Sequence, residues 1–299
     1  AEAAGGKVMV AWHSTPRGYG RVADSQLPEP LKQAIPAADV WIEFNDQWLL
    51  YSTSWTNAMF NGRTRYLFLG GLDSDRLVRC VTRLDMSLQQ RFQNKVVELT
   101  GRASKMRVTT PAGTDVSFKN VPGRPITNEL RADTPGAHFL VGQIGWSPRE
   151  ETIEGTIVFD GSFSGGGDAD LGILIEPIKL RVERGRVVDI GGGTQAEQLR
   201  TWLEHLDDPN MYNLAHICYG FNPGAVLTGL CTEDERVWGA TEWGNGHQGP
   251  MFDGDLPDAV SHGDGICLCS TVWLDDVLLL EAGRVVHPEL AEIARAIGK

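Results

Sequence analysis

Asn213-Leu-Ala-His216-Ile-Cys-Tyr-Gly-Phe-Asn-Pro-Gly224 opens the stretch around which this chain is organised; Glu233-Asp-Glu-Arg-Val-Trp-Gly-Ala-Thr-Glu242-Trp-Gly244 continues it, and Ser261-His262-Gly263-Asp264-Gly265 closes it. His216 follows a short apolar run and precedes Tyr-Gly-Phe-Asn-Pro-Gly, the order of a strand running into a turn. His262 and Asp264 are two apart, so an extended backbone sends both side chains from one face. The glycines flanking Asp264 are expected to keep bulk away and let another group approach. Two imidazoles and one carboxylate are the ligand set that leaves three facial positions open on a ferrous ion. The stretch therefore predicts one metal, Fe(II), held by His216, His262 and Asp264. A blander reading stands beside it: a buried, hydrogen-bonded histidine and an Asp in an Asx-turn.

Working outward, the chain has 299 residues, enough for one large domain or two ordinary ones with a sizeable core. Its 41% apolar and 22% charged residues are those of a soluble globular protein. A net charge of −12 argues against a general nucleic-acid or anionic-membrane binder, since both need basic surface. No apolar run approaches the roughly 20 residues that cross a bilayer. The opening Ala1-Glu-Ala-Ala-Gly-Gly-Lys7 lacks the charged-then-apolar order of a secretory leader. Five cysteines are an odd and sparse set, read as reduced thiols in a cytoplasmic protein. Cys267-Leu-Cys269 lacks a second ligand pair for zinc and reads as part of a buried strand.

Before the central stretch, Lys7-Val-Met-Val-Ala-Trp12, Asp39-Val-Trp-Ile-Glu-Phe44 and Arg65-Tyr-Leu-Phe-Leu-Gly-Gly71 read as strands, the first as a buried one. Helical spacing lies between them, and Asp73 can cap a further helix. Strands alternating with helices predict a small α/β domain over residues 1–95. It has no G-x-G-x-x-G and no P-loop, so it is not read as a nucleotide site. From Met86 a helix runs to Gly101 as a connector. The texture then becomes short strands and hairpins: Met106–Thr110 with Val116–Lys119, Thr156–Asp160, Gly172–Ile175, Ile178–Glu183 and Val187–Ile190. Thr194 is expected to cap an amphipathic helix to His205 in a capping box with Glu197. Thr271–Leu280 is strand-like, and Pro288–Ile297 is a terminal helix. Residues 96–299 are thus expected to form an α+β metal-binding domain with a mostly antiparallel sheet. Ser162–Asp170 lacks the Asp spacing and distal Glu of an EF-hand and reads as a hairpin or a loop bordering the site.

The order of motifs in the second part carries a resemblance. A Gly113-Thr-Asp115 hairpin, Gly142-Gln143-Ile-Gly-Trp-Ser-Pro148, Gly185-Arg-Val-Val-Asp189, Asn213-Leu-Ala-His216, Gly220-Phe-Asn-Pro223, Glu233-Asp234 through Gly239, Glu242 and Gly244, and Ser261-His262-Gly-Asp264 follow one another. Together they resemble the thermophilic-type metalloaminopeptidase superfamily. Within it the chain looks most like the ring-cleaving branch, 2,5-dihydroxypyridine 5,6-dioxygenase. The resemblance covers roughly residues 100–285 well and the first domain loosely. Where the peptidases carry the carboxylate of Pro-Asp-Gly-Glu, this chain has Gln143. Where they carry that of Asn-(Ile/Leu)-Ala-Glu, it has His216, and their Gly-Thr-x-His histidine aligns with Glu242. The final His-x-Asp pair is retained as His262 and Asp264. A neutral Gln is a poor ligand for a two-metal centre, because two divalent ions need several anions to offset their charge. The remaining set, His216, His262 and Asp264, is the mononuclear iron triad that the dioxygenase branch implies.

The resemblance implies a small dihydroxylated aromatic substrate, dioxygen as co-substrate, N-formylmaleamic acid as the product from 2,5-dihydroxypyridine, and a homo-oligomer. Such chemistry needs a base for the ring hydroxyl. The candidates are His138, just before the Gln143 stretch, then Glu242, and His13, the one histidine of the first domain, which also reads as a solvated loop residue. Gln143, Trp146 and Trp243 are candidates to face or stack on the substrate, against core packing for the tryptophans. Asn222-Pro223 is read as fixing a turn, and Glu233-Asp-Glu-Arg236 as a solvated charge run. A one-metal hydrolase, peptidase- or amidohydrolase-like, is the alternative activity.

Overall fold

The computed structural model describes residues 2–299. Its larger part is two antiparallel sheets packed face to face. One has eight strands, running in space from Arg186–Gly191 through Ile178–Glu183, Glu154–Phe159, Asp115–Lys119, Lys105–Thr109, Thr271–Leu274 and Val277–Glu281 to Arg284–Val285. The other has seven: Gly172–Ile173, Ser162–Ser164, His262–Cys267, Thr241–Gly246, Leu214–Gly220, Gln143–Trp146 and Ile126–Asn128. Side chains alternate across a sheet with a period of two. In the seven-stranded sheet this sends Ile144, Trp146, Ile217, Tyr219, Trp243 and Cys267 to the inner face. There they share one buried cluster with Val108, Val116, Phe118, Ile157, Phe159 and Val272 of the larger sheet. Each fully buried aliphatic or aromatic side chain contributes about 1.5–3 kcal/mol, so this face holds the domain together. The opposite face of the same strands carries His216, Glu242, His262 and Asp264. The expectation of a mixed α/β chain with a mostly antiparallel second part is borne out.

The smaller part holds a parallel three-stranded sheet, ordered Val40–Glu43, Arg65–Phe68, Gly136–His138. Its third strand comes from beyond residue 95, and the connector helix Met86–Arg102 runs through that position. Asp85 caps this helix by accepting from the backbone N–H of Ser87 and Leu88. Phe92, Val96 and Leu99 turn into the main core, so the helix packs with the second part. The parallel sheet is therefore not built from residues 1–95 alone.

Three local expectations are corrected. Lys7–Trp12 forms no strand and is not buried: Met9 is 71% and Trp12 94% exposed. An apolar run needs a neighbouring strand to pair with, and the parallel sheet takes Gly136–His138 instead. Thr194 opens its helix from the first turn, while Gly193 holds the cap position without a side-chain bond. Of the Cys267-Leu-Cys269 pair, Cys267 is buried in a strand and Cys269 is exposed, with φ of 50°. Ser162–Ser164 is a strand of the site sheet, and Asp170 takes the backbone N–H of Gly166 at 2.9 Å and the Tyr19 hydroxyl at 3.1 Å, tying the two parts together. All five cysteines are free. No helix among the described residues is long and apolar enough to cross a membrane.

Candidate metal centre

Three neighbouring strands bring His216, His262 and Asp264 together. Register pairs His216 with Gly244, Gly244 with Asp264, and Gly246 with His262. The middle strand thus offers two glycines where side chains would otherwise fill the gap. A Cβ on Gly244 would lie 2.3 Å from His216 Cε1, so this position must stay bare for the imidazole to lie across it. His262 Nε2 is 2.9 Å and His216 Nε2 3.6 Å from Asp264 Oδ1. The two imidazoles lie nearly parallel, 5.1 Å apart at 17°. One ligand atom from each of the three side chains falls within 4.8 Å of the other two, and all three residues are buried. The glycines flanking Asp264 serve a different end from the expected one. The period of two turns them to the core, where a Cβ on Gly265 would meet the Phe159 ring at 2.3 Å.

The surroundings fix these groups. His262 Nδ1 is 2.7 Å from the His247 carbonyl, so that nitrogen carries the proton and donates it there. Nε2 is left facing Asp264. The His216 ring stacks on Phe252 at 4.7 Å. Its Nδ1 has no hydrogen-bond partner, and neither has Glu242 Oε1, although that oxygen stands 3.0 Å from His216 Nε2. Buried polar atoms without partners are costly, and here they point to a missing one. Two imidazoles and a carboxylate converging beside such atoms fit a divalent transition metal.

Burial pulls the His216 imidazole down to about 4, with the neighbouring His262 adding to it. Burial opposes a charge on His262 as well, but Asp264 outweighs it and the net direction is up. Burial pushes Glu242 up to about 7, with Glu235 adding to the rise. Asp264 is also raised, chiefly by burial.

Gln143 reaches the same face. Its Nε2 donates to Glu235 Oε2 at 3.0 Å and approaches Glu242 Oε2 at 3.4 Å, while its Oε1 accepts from Arg236 Nη2 at 2.9 Å. Arg236 also pairs with Glu235, and Cys231 Sγ lies 2.8 Å from Glu235 Oε1. The Glu233–Arg236 run is therefore not solvated: all four residues are buried, and Arg236 is 1% exposed. Its signal in the sequence was a basic residue directly after three acids, between two site motifs.

Above this floor a half-open cleft lies between the two parts of the chain. Gln143, His216, Glu235, His262 and Asp264 line its polar end, and Trp48, Leu50, Phe139, Met251 and Phe252 its apolar walls. Tyr51 lines it too, and nothing in the sequence singled it out.

The remaining candidates lie elsewhere. Trp146 is turned to the core, donating to Asn120 at 3.0 Å and packing on Tyr219. Trp243 meets Phe118 edge-on in the same core. Both sit an odd number of positions from a site residue on their own strand, which puts them on the other face. His138 ends a strand of the parallel sheet, with Nε2 2.8 Å from the Thr134 carbonyl, and does not line the cleft. His13 lies in the loop after the exposed N-terminal run, bonded to Ser14.

A sandwich-like antiparallel domain whose cleft floor gathers two histidines and a carboxylate defines a candidate metal-binding protein of mixed α/β fold. The chain belongs to the NicX family, 2,5-dihydroxypyridine 5,6-dioxygenase, whose model matches residues 8–287. A curated relative from Pseudomonas putida KT2440, 2,5-dihydroxypyridine 5,6-dioxygenase, is 29% identical over 210 residues, 64% of this chain and 57% of the relative. The matched stretch thus spans little more than half of that protein. The solved structure of the 2,5-dihydroxypyridine dioxygenase of Pseudomonas putida KT2440 superposes with a TM-score of 0.74 at 24% identity, over 94% of this chain and 81% of that one. Wild-type AmpT from Thermus thermophilus gives 0.63 at 17% identity, over 87% and 80%. The resemblance carried by the motif order is borne out.

Proposed function

We propose that this protein is an Fe(II)-dependent ring-cleaving dioxygenase acting on a dihydroxylated N-heteroaromatic such as 2,5-dihydroxypyridine. The observation that carries this reading is the convergence of His216, His262 and Asp264 on the floor of a cleft with aromatic walls. Family membership supports the reaction class, and the donor set supports iron. His216, His262 and Asp264 would hold the ion. Held there, Fe(II) would supply the electron-transfer chemistry that dioxygen activation requires. The protein's own groups do the rest. The His247 carbonyl keeps the His262 proton on Nδ1. Arg236 orients Gln143 so that its amide N–H, not its carbonyl, faces Glu235 and Glu242. Glu242, with one oxygen 3.0 Å from His216, is the carboxylate that would receive a proton relayed from the cleft, whose lining it does not itself reach. It is the only one of the three expected base candidates on the site face. Phe252, Phe139, Met251 and Trp48 exclude water from the ring.

A cytoplasmic setting and a homo-oligomer belong to the same proposal. The five free thiols support the first. Val40 and Ile42, 48% and 50% exposed on one face of the edge strand of the parallel sheet, support the second.

The test is oxygen consumption with 2,5-dihydroxypyridine by protein loaded anaerobically with Fe(II), against a chelated control. Metal-dependent uptake with loss of the ring absorbance is the expected result. No uptake with iron verified as bound would overturn the dioxygenase reading, and cleavage of amide substrates instead would establish the hydrolase.

A further inference from the structure

We propose that Tyr51 is the substrate-anchoring residue of this site, its phenolic hydroxyl donating a hydrogen bond to a ring substituent of the bound aromatic. The role rests on the aromatic-substrate reading above and names the contact that the smaller domain makes to it. Trp48, Leu50 and Tyr51 are the three residues before the connector helix that line the cleft, and only Tyr51 brings a hydroxyl. Its ring stands edge-on to His262 at 5.2 Å and tilted against His247 at 4.7 Å, so it sits directly beside the metal cluster.

Three further observations separate an anchoring role from mere packing. The residue is 6% exposed and lines the cleft, and its hydroxyl is not one of the buried unpartnered polar atoms. A phenylalanine would pack against His262, His247 and Trp55 as well, but would bring no hydroxyl to the cleft. The backbone is held at φ of 62°, a left-handed conformation that a tyrosine adopts only under constraint. The constraint is visible on both sides: the Leu50 carbonyl accepts from the Gly20 N–H at 3.1 Å, and Ser52 caps the helix Thr53–Met59. Glycine would relax this position, so what the strained backbone secures is the direction of the side chain. Finally, a Cβ on Gly249 would meet Met251 Sδ at 2.2 Å and Tyr51 Oη at 2.7 Å, so the facing loop stays bare where both of these cleft-lining side chains lie.

The experiment compares wild type, Tyr51→Phe and Gly249→Ala, each loaded anaerobically with Fe(II). Binding of 2,5-dihydroxypyridine, 2-hydroxypyridine and 3-hydroxypyridine is followed by quenching of tryptophan fluorescence, with iron content and melting temperature measured alongside. Tyr51→Phe is expected to weaken 2,5-dihydroxypyridine binding by about five- to tenfold, the worth of one such bond, with iron content unchanged. The loss should vanish for the monohydroxylated ring that lacks the bonded substituent. Gly249→Ala should weaken binding at least as much as Tyr51→Phe, because its methyl crowds Met251 in the cleft wall as well as the Tyr51 hydroxyl. Wild-type affinity in Tyr51→Phe, an equal loss for all three rings, or a loss that tracks iron content would each overturn the proposal. Tight binding by wild type without oxygen uptake would sink the dioxygenase reading alone; no binding of 2,5-dihydroxypyridine by wild type would sink both.

Discussion

At the residue scale the site is decided by what is missing as much as by what is present. His216 and Asp264 converge because Gly244 stands between them in the register. Gly244→Ala is expected to displace the His216 ring, since the new methyl would sit 2.3 Å from it, and to lower iron affinity by about 10–100-fold. Metal titration of the refolded variant checks this. Asp264→Ala and His262→Ala should abolish turnover and lower iron content while the circular-dichroism spectrum stays native. Full activity in either would remove the triad. The His-x-Asp pair was legible because a period of two is a property of any extended strand. Its partner His216 was legible as a strand residue and through the motif order. Glu242 was legible through the same alignment. Tyr51 was not, because nothing local marks a tyrosine whose backbone is pinned by Gly20 and Ser52.

At the element scale, the loop that follows Val40–Glu43 carries Trp48, Leu50 and Tyr51 into the cleft. This is where the ends of parallel strands are expected to meet ligands. Glu43 fixes the loop by accepting from the Leu49 N–H at 2.8 Å and Asn45 Nδ2 at 2.9 Å, and it takes the Tyr66 hydroxyl at 2.7 Å. Burial pushes this carboxyl up to about 7 from an ordinary 4.5. The folded state therefore keeps a proton that the unfolded chain has released between these two values. Stability falls as pH rises through that window and levels off above it, by about 3 kcal/mol in all for this group. Glu43→Gln mimics the protonated acid, so denaturant melts of the variant should lose this part of the pH dependence and be more stable than wild type at pH 8. An unchanged pH profile would place the proton elsewhere. The same element scale explains the two misplaced tryptophans. Trp146 and Trp243 lie on the right strands but on the core face, and motif proximity carries no information about parity unless the strand bounds are known.

At the scale of the whole molecule, the two parts are locked by buried polar contacts rather than by a linker. Glu233, fully buried in the site domain, meets Arg76 at 3.1 Å and Arg79 at 2.5 Å. It also accepts from the Val226 N–H at 3.0 Å. Glu233→Ala leaves both guanidinium groups without this partner and should cost about 3 kcal/mol, the low end for breaking a buried pair, because each arginine keeps some solvent. Thermal melts would show it as a lower midpoint, with the smaller domain loosening first in hydrogen exchange. An effect below about 0.5 kcal/mol would mean that this contact does not hold the parts together.

The sequence by itself determined the mixed α/β class, the antiparallel second part and the family, and it named the two histidines and the carboxylate that the fold brings together. Those follow from local periodicity and from the order of short motifs, which survive without knowledge of neighbours. Only the tertiary structure decided that Lys7–Trp12 is exposed, that Gly136–His138 completes the parallel sheet, that Glu233–Arg236 is buried, and that Tyr51 rather than His13 or His138 reaches the cleft from the smaller part. Each of those outcomes depends on which segments compete for one sheet edge or one buried volume, and that competition is settled between residues far apart in the chain.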